Sequence, residues 1–277
     1  MSLEQYFPFL YGKKHGFVTR LDINAFEKSL KRLDFMANYF DVSFENIEKI
    51  PLEGKGLIVG NHGPGGMDAV FLIKHVYEKN KRVVRGLADR VLFKIPVGRV
   101  GVAQMGVIEG DRQQAIDMLN GGHLLSVYPG GIREAVKTPD EKYQLRQFWG
   151  KADGFVKVCL ETGAPIIPVA CVGIDEIFSQ LRTGEQMRKN IFMKLSQRYM
   201  GSDKYTTPLY IGRGPFPHKV KLRYLVGDAI EMEHGPEAID NPKIIASIKE
   251  QVIVALEDLL DKGLTDRHVP KRQKRDV

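Results

Sequence analysis

The chain holds only two cysteines in 277 residues, Cys159 and Cys171. Their spacing suits neither a metal site nor a disulfide framework, and usage this sparse fits a reducing compartment. No apolar run reaches the roughly 18 residues that a membrane-spanning helix needs. The first residues lack a basic flank followed by an apolar stretch, so no signal peptide is expected. Neither the dinucleotide-binding nor the P-loop glycine pattern occurs. No His/Cys/Asp grouping has zinc spacing, so neither a metal nor any other cofactor is expected. Aromatic residues are not interleaved with the basic ones as single-strand binders require, which argues against a nucleic-acid partner. There is no internal repeat and no clear linker. With 43% apolar and 27% charged residues, the composition excludes collagen, low-complexity disorder and a disulfide-stapled miniprotein. These absences leave a globular domain of ordinary composition, expected to be soluble or peripheral and cytoplasmic.

The chain carries 41 basic and 34 acidic side chains, a formal charge of +7. Two zones concentrate the excess. Residues 74–99 hold eight basic side chains against two acidic, and residues 262–277 hold six against two. Such zones on a near-neutral body fit an anionic surface or ligand as well as they fit an ordinary solvated face and tail. Near the start, Tyr6, Phe7, Phe9, Leu10 and Tyr11 fit a lipid interface or packing against the domain equally well.

Hydrophobic periodicity places helices at 24–40, 68–79, 111–120, 152–162, 185–200 and 242–262. The first has Phe26, Leu30, Leu33, Ala37 and Phe40 on one face and an Asn24/Glu27 capping pair at its start. Strands are expected at 42–47, 56–60, 82–88, 124–128 and 166–172. At 220–226, Val220, Leu222, Tyr224 and Val226 alternate as in a half-exposed strand. Alternating strands and helices predict an α/β fold, a mainly parallel or mixed central sheet covered by helices on both faces. The chain divides into an N-terminal helical segment (1–40) packed on the domain, the main domain (41–262) and a basic tail (263–277). The least regular stretch, 178–218, reads as a surface excursion or a lid.

Three segments could carry chemistry. In Gly56-Leu-Ile-Val-Gly-Asn-His-Gly-Pro-Gly-Gly-Met-Asp68, a buried strand runs into Asn61-His62 and a glycine loop precedes Asp68. Ligands of open α/β sheets gather beyond the carboxyl ends of strands. A histidine there can take a proton near neutral pH if a carboxylate fixes its other nitrogen. Asp68 is the candidate carboxylate; as a plain alternative it caps the helix. In Leu124-Leu-Ser-Val-Tyr-Pro-Gly-Gly-Ile-Arg-Glu134, glycines at the strand end let backbone N–H groups meet developing negative charge. Arg133 suits an anion, or forms a surface pair with Glu134. Between them, Gly106-Val-Ile-Glu-Gly-Asp-Arg112 offers Arg112 as a second anion contact or an early-helix surface residue.

In this order the three segments resemble the blocks of the glycerolipid acyltransferase superfamily, whose type member is lysophosphatidic acid acyltransferase. Asn61-His62 with Asp68 resembles the first block, Gly106 to Arg112 the second and Tyr128 to Arg133 the third. Ala164-Pro-Ile-Ile-Pro-Val169 resembles the fourth, and the match spans about residues 40–230. Five residues separate His62 from Asp68 where the common pattern has four. Gly130 follows Pro129 where the common pattern has glutamate, and Glu134 follows the arginine instead. Both departures are similar to the branch of monoacylglycerol and diacylglycerol acyltransferase-like proteins and phytyl ester synthases.

The resemblance implies a glycerolipid acyltransferase-like fold and transfer of a fatty acyl group from acyl-CoA or acyl-carrier protein to a lipid hydroxyl. The branch implies a neutral alcohol or acylglycerol acceptor, while Arg112 and Arg133 leave a lysophospholipid acceptor open. His62 and Asp68 would be catalytic; Asn61, Arg112, Gly130, Gly131, Arg133 and Glu134 would bind substrate. No covalent acyl-enzyme is required, because Ser126 lies inside a strand and Cys159 and Cys171 read as core residues. Lipid substrates imply work at a membrane surface, and Asp89-Arg-Val-Leu-Phe-Lys-Ile-Pro96, with the tail, is the expected patch for anionic lipid. Two other readings use the same residues: an acyl-thioester hydrolase and a non-catalytic anionic-lipid-binding protein.

Overall fold

The computed structural model describes residues 21–94, 101–214 and 216–268. Among them, seven strands form one sheet in the order β1-β9-β6-β2-β5-β3-β4. These are β1 (Ser43–Glu45), β2 (Gly56–Gly60), β3 (Val84–Ala88), β4 (Ile108–Glu109), β5 (Leu124–Val127), β6 (Ile166–Val172) and β9 (Arg223–Val226). Every neighbouring pair is parallel except β6 with β9. The sheet is therefore mixed and mainly parallel. β2 and β6 have every residue buried, as apolar runs in the middle of a doubly covered sheet require.

Successive side chains of β2 point to opposite faces. Leu57 and Val59 enter a cluster with α4 (Arg112–Asn120), α6 (Gly154–Thr162) and α8 (Pro242–His268). Ile58 enters the cluster on the other face with α1 (Ile23–Arg32), α2 (Asp34–Tyr39) and α3 (Met67–Asn80). Phe26, Phe40 and Phe71 are fully buried there. At about 1.5–3 kcal/mol for each large side chain withdrawn from water, this packing fixes the N-terminal helices onto the sheet.

Besides shifts of one or two residues at element ends, four features differ from the sequence reading. The first helix breaks at Leu33 into α1 and α2, and its N-cap is Asp22, whose carboxylate accepts from the Ala25 N–H at 3.1 Å. The Asn24/Glu27 pair is not used. The helix expected over 185–200 is a short turn of helix at Gly184–Met187 followed by α7 (Ile191–Met200). Thr183 and Gln186 close a capping box on the first piece, and the Asn190 carbonyl starts the second by accepting from the Lys194 N–H. β9 is not half-exposed. Leu222, Tyr224 and Val226 fill one core cluster while Leu225 fills the other. The last helix continues past Lys262 to His268. Gly263 lets it approach Val172 closely, and Leu264 packs into the core.

Residues 178–218 form a separate two-stranded antiparallel sheet, β7 (Ser179–Arg182) with β8 (Leu209–Ile211), with α7 between its strands. Among the described residues, no helix is long and apolar enough to cross a membrane. Of the expected lipid patch, Arg90 is engaged with Glu109 and Asp111, and Leu92 is partly exposed. The aromatic residues at 6–11, residues 95 and 96 of the patch and the tail at 271–275 lie outside the described residues.

Candidate active site

β2 delivers Asn61 and His62 to the carboxyl end of the parallel strands. The chain then turns through Gly65 (φ 73°) and Gly66 (φ 68°), left-handed conformations that side-chain-bearing residues rarely adopt. That double turn starts α3 and returns Asp68, in its first turn, to the histidine. His62 Nδ1 lies 2.7 Å from Asp68 Oδ2. The Asp68 side chain is 1% exposed and the His62 side chain 19%. One ring nitrogen is therefore tied inward while part of the ring stays accessible. Asp68 does not cap the helix; Gly66 holds the cap position.

The histidine is held on every side. Its ring stacks on Tyr128, centroids 4.6 Å apart. Its backbone N–H donates to Glu134 Oε1 at 2.8 Å, and its carbonyl accepts from Lys137 Nζ at 2.8 Å. Glu134 Oε2 accepts from the Trp149 indole N–H at 3.0 Å. Lys137 Nζ is also 2.8 Å from Asp175 Oδ1, with both side chains nearly inaccessible. The Tyr224 hydroxyl donates to the Asp68 carbonyl at 2.9 Å. Four tertiary contacts, from Tyr128, Glu134, Lys137 and Tyr224, thus fix one short loop, as a preorganised site requires.

Of the residues singled out from the sequence, His62, Asp68, Asn61, Gly130 and Glu134 come together; Arg112 and Arg133 do not join them. Two of the side chains expected to bind substrate lie inside the protein. Asn61 is buried, and its amide exchanges hydrogen bonds with the Cys171 backbone N–H (2.7 Å) and C=O (3.0 Å), locking β2 to β6. Glu134 is fully buried, with its carboxylate behind the histidine. The five-residue helix α5 (Gly131–Ala135) turns Glu134 inward and Arg133 outward, so neighbours in sequence point opposite ways. Gly130 is required by this packing, since a Cβ there would stand 2.2 Å from Glu134 Oε2. The Gly131 N–H is consumed by the Tyr128 carbonyl at 2.9 Å. Among the described residues no acceptor takes the Gly130 N–H.

Arg112 is exposed and pairs with Glu161 at 2.6 Å, bracing α4 against α6. Arg133 is exposed and has no partner among the described residues. Lys137, Asp175 and Trp149 went unnoticed in the sequence, and Tyr128 was read only as the start of the third block. Their only signal is proximity to the third block, and Asp175 lacks even that.

Burial opposes charge on the His62 imidazole, but the charge and hydrogen bond of Asp68, with help from Glu134, outweigh it and raise its pKa above the ordinary 6.5. Burial likewise pushes the Glu134 carboxyl up to about 7, against the pull of Lys137. Both cysteine thiols are driven upward by burial, which removes them as nucleophiles. The His62 ring is expected to titrate above 6.5 by NMR. In Asp68→Asn, where burial acts with less opposition, the midpoint should fall; an unshifted midpoint would show that Asp68 does not govern the ring.

One opening is lined by Pro64 of this loop, and a second, larger one is lined by Val127 at the end of β5. A groove of about 520 Å³ runs along β3 and β5 between α4 and α6, floored by Leu57, Leu87 and Val127 and walled by Ala115, Phe155 and Val158. Arg112 lies on its rim. Val127 immediately precedes the tyrosine that stacks on His62. A polar cavity of about 150 Å³ lies between Pro64, Lys137 and the β7–β8 hairpin, where Gln180 and Tyr210 line it. Among the described residues, no cluster of three or more His, Cys, Asp or Glu side chains could hold a metal ion.

Comparison with known proteins gives three results. Residues 20–275 match the family model described as diacylglycerol acyltransferase. A Bos taurus protein named "DGAT1/2-independent enzyme synthesizing storage lipids" is 33% identical over 217 residues, covering 78% of this chain and 58% of its own length. Its Homo sapiens counterpart is 32% identical over 78% of this chain and 60% of its own. An uncharacterised protein of Mycobacterium tuberculosis is 28% identical over 84% of this chain and 64% of its own. The chain thus spans about three fifths of the curated relatives it matches. The solved 1-acyl-sn-glycerophosphate (LPA) acyltransferase PlsC from Thermotoga maritima shares the fold, with a TM-score of 0.52 and 20% identity over 86% of this chain and 79% of its own.

Proposed function

The chain belongs to the diacylglycerol acyltransferase family, and from that premise we propose that it moves a fatty acyl group from a thioester to the hydroxyl of a neutral acylglycerol or long-chain alcohol. The observation that carries this reading is the 2.7 Å approach of His62 Nδ1 to Asp68 Oδ2, with the aspartate sealed from solvent and the ring still reachable.

The chemistry follows from that geometry. His62 Nδ1–H donates to Asp68, leaving the Nε2 lone pair to accept the proton of the acceptor hydroxyl. As the proton leaves, the hydroxyl oxygen bonds to the thioester carbonyl carbon. The Gly130 N–H stabilises the oxyanion. Collapse breaks the C–S bond, and the thiolate takes the proton from Nε2. Atoms and charge balance without an acyl-enzyme, in keeping with the buried, protonated thiols. The apolar groove takes the acyl chain. Its volume of about 520 Å³ is of the size that small-molecule pockets commonly have.

The donor is acyl-CoA or acyl-carrier protein, and no cofactor is required. A phosphorylated acceptor is the second reading, favoured by Arg133, which extends to solvent without a partner among the described residues. The test supplies the protein with long-chain acyl-CoA and a mixed pool of acylglycerols, alcohols and lysophospholipids, and identifies the ester by mass spectrometry. A neutral ester should dominate, and thioester consumption should rise several-fold when acceptor is added. Consumption independent of acceptor would make the protein a hydrolase.

A further inference from the structure

The excursion from Phe178 to His218 has its polarity reversed. In the β7–β8 register, Gln180 pairs with Tyr210. Both turn inward, Gln180 Nε2 donating to the Lys137 carbonyl at 2.5 Å and the Tyr210 hydroxyl to the Ala135 carbonyl at 3.4 Å. The apolar Leu181, Leu209 and Ile211 are left facing out, 62%, 41% and 49% exposed. A hairpin resting on a protein and facing water normally does the opposite.

Helix α7 adds Ile191 and Leu195, four residues apart and so on one stripe, 69% and 61% exposed. Phe216 is exposed as well and sits beside Phe35 and Tyr39 of α2, ring centroids 6.4 and 6.3 Å away. Six of the eleven exposed large apolar side chains among the described residues lie in this one segment. Its charge is as one-sided as its exposure, seven basic side chains against Glu185 and Asp203. Arg182, Lys189, Lys194, Arg198 and Arg213 have no carboxylate partner among the described residues. Apolar side chains on an outer face ringed by unpaired cations are the pattern of an interfacial, anion-seeking surface.

We propose that this excursion is the surface by which the protein docks on an anionic lipid bilayer, its aliphatic side chains entering the acyl boundary and its cations meeting headgroup phosphates. Charge complementarity selects that occupant. A second copy of the chain would set one basic face against another. The segment is pinned at the rim of the site, by Gln180 and Tyr210 to α5 and its following turn, and by Lys204 and Tyr205 to Asp89 at 2.8 Å each. Docking through it brings to the membrane the two openings that Gln180 and Tyr210, and Lys204, line. The proposal deepens the lipid-acceptor reading and rests on it for its purpose only, because binding is measured without turnover.

The experiment sediments the full chain with phosphatidylcholine vesicles, with and without phosphatidylglycerol. Leu181→Asp/Leu195→Asp/Ile211→Asp should lose at least about 30-fold in partitioning to both, with an unchanged melting temperature, since all three sites are exposed. Lys189→Gln/Lys194→Gln/Arg213→Gln should lose only the preference for phosphatidylglycerol and its salt sensitivity, about fivefold per residue. His62→Ala should partition like the unaltered protein, so a failure of docking and a failure of the catalytic reading give different results. Equal partitioning of the aspartate variant overturns the proposal. So does a parent that ignores vesicles while the same variant dissolves a dimer or abolishes capture by an acidic carrier protein.

Discussion

Replacing His62 with alanine is expected to lower kcat for acyl transfer by about 10³- to 10⁴-fold, the upper range for loss of a positioned general base. Without the imidazole, the acceptor hydroxyl must attack while keeping its proton, and the departing thiolate has no acid beside it. Asp68→Asn should cost less, on the order of 10²- to 10³-fold, by a different route. An asparagine that turns its NH₂ toward Nδ1 forces the proton onto Nε2, the nitrogen that must accept. Loss of the Asp68 charge also lets burial lower the pKa of the ring. The acid limb of kcat/KM, which for the unaltered protein should lie above 6.5, therefore moves to lower pH. His62 is partly exposed and its backbone partners survive substitution, so the alanine variant should remain folded by circular dichroism. Added imidazole should restore part of the activity to His62→Ala and none to Asp68→Asn. Turnover unchanged in His62→Ala would remove the catalytic assignment altogether.

The two best-read strands show what made the fold legible. Gly56–Gly60 and Ile166–Val172 are short apolar runs, the first bounded by glycines and the second by Pro165 and Gly173, and both lie where the sequence put them. The first of them also delivered the dyad, because a strand end, two left-handed glycines and a helix start leave Asp68 little freedom. β9 misled because its alternation was read as one wet face, whereas helix α8 covers that face and Leu225 packs beneath it. Leu33 and Asn190 break helices whose apolar spacing is continuous, since spacing does not register where a cap competes with the next turn.

The cradle of the histidine was less legible for a topological reason. His62, the pair Glu134 and Lys137, and Asp175 follow three different strands and meet only when parallel pairing aligns the carboxyl ends of β2, β5 and β6. A five-residue helix is too short to show a periodicity, so nothing in Gly-Ile-Arg-Glu-Ala reveals that the glutamate turns inward and the arginine out. The common third-block pattern has its glutamate next to the proline. In this chain that position is a glycine, and the carboxylate from four residues later fills the space a Cβ would occupy.

That substitution of one position for another sets the second large effect. Glu134 meets two donors, the His62 backbone N–H and the Trp149 indole N–H, one on each oxygen. Glutamine supplies one acceptor and one NH₂, so one of the two donors is left facing hydrogen atoms inside the protein. The expected loss of stability is about 1–3 kcal/mol, the usual consequence of a buried donor without an acceptor. The kinetic consequence separates positioning from mere support. His62 should be less firmly held against Asp68, so kcat should fall roughly 10- to 100-fold while KM for the acyl thioester stays within about twofold. Removal of a nearby negative charge should also lower the acid limb of the pH profile, by less than Asp68→Asn does, because Glu134 is the weaker of the two carboxylates raising the ring. Gly130→Ala should reproduce the stability loss by pushing the same carboxylate aside. A Glu134→Gln protein that is less stable but retains full kcat and an unmoved pH profile would reduce this residue to structural support.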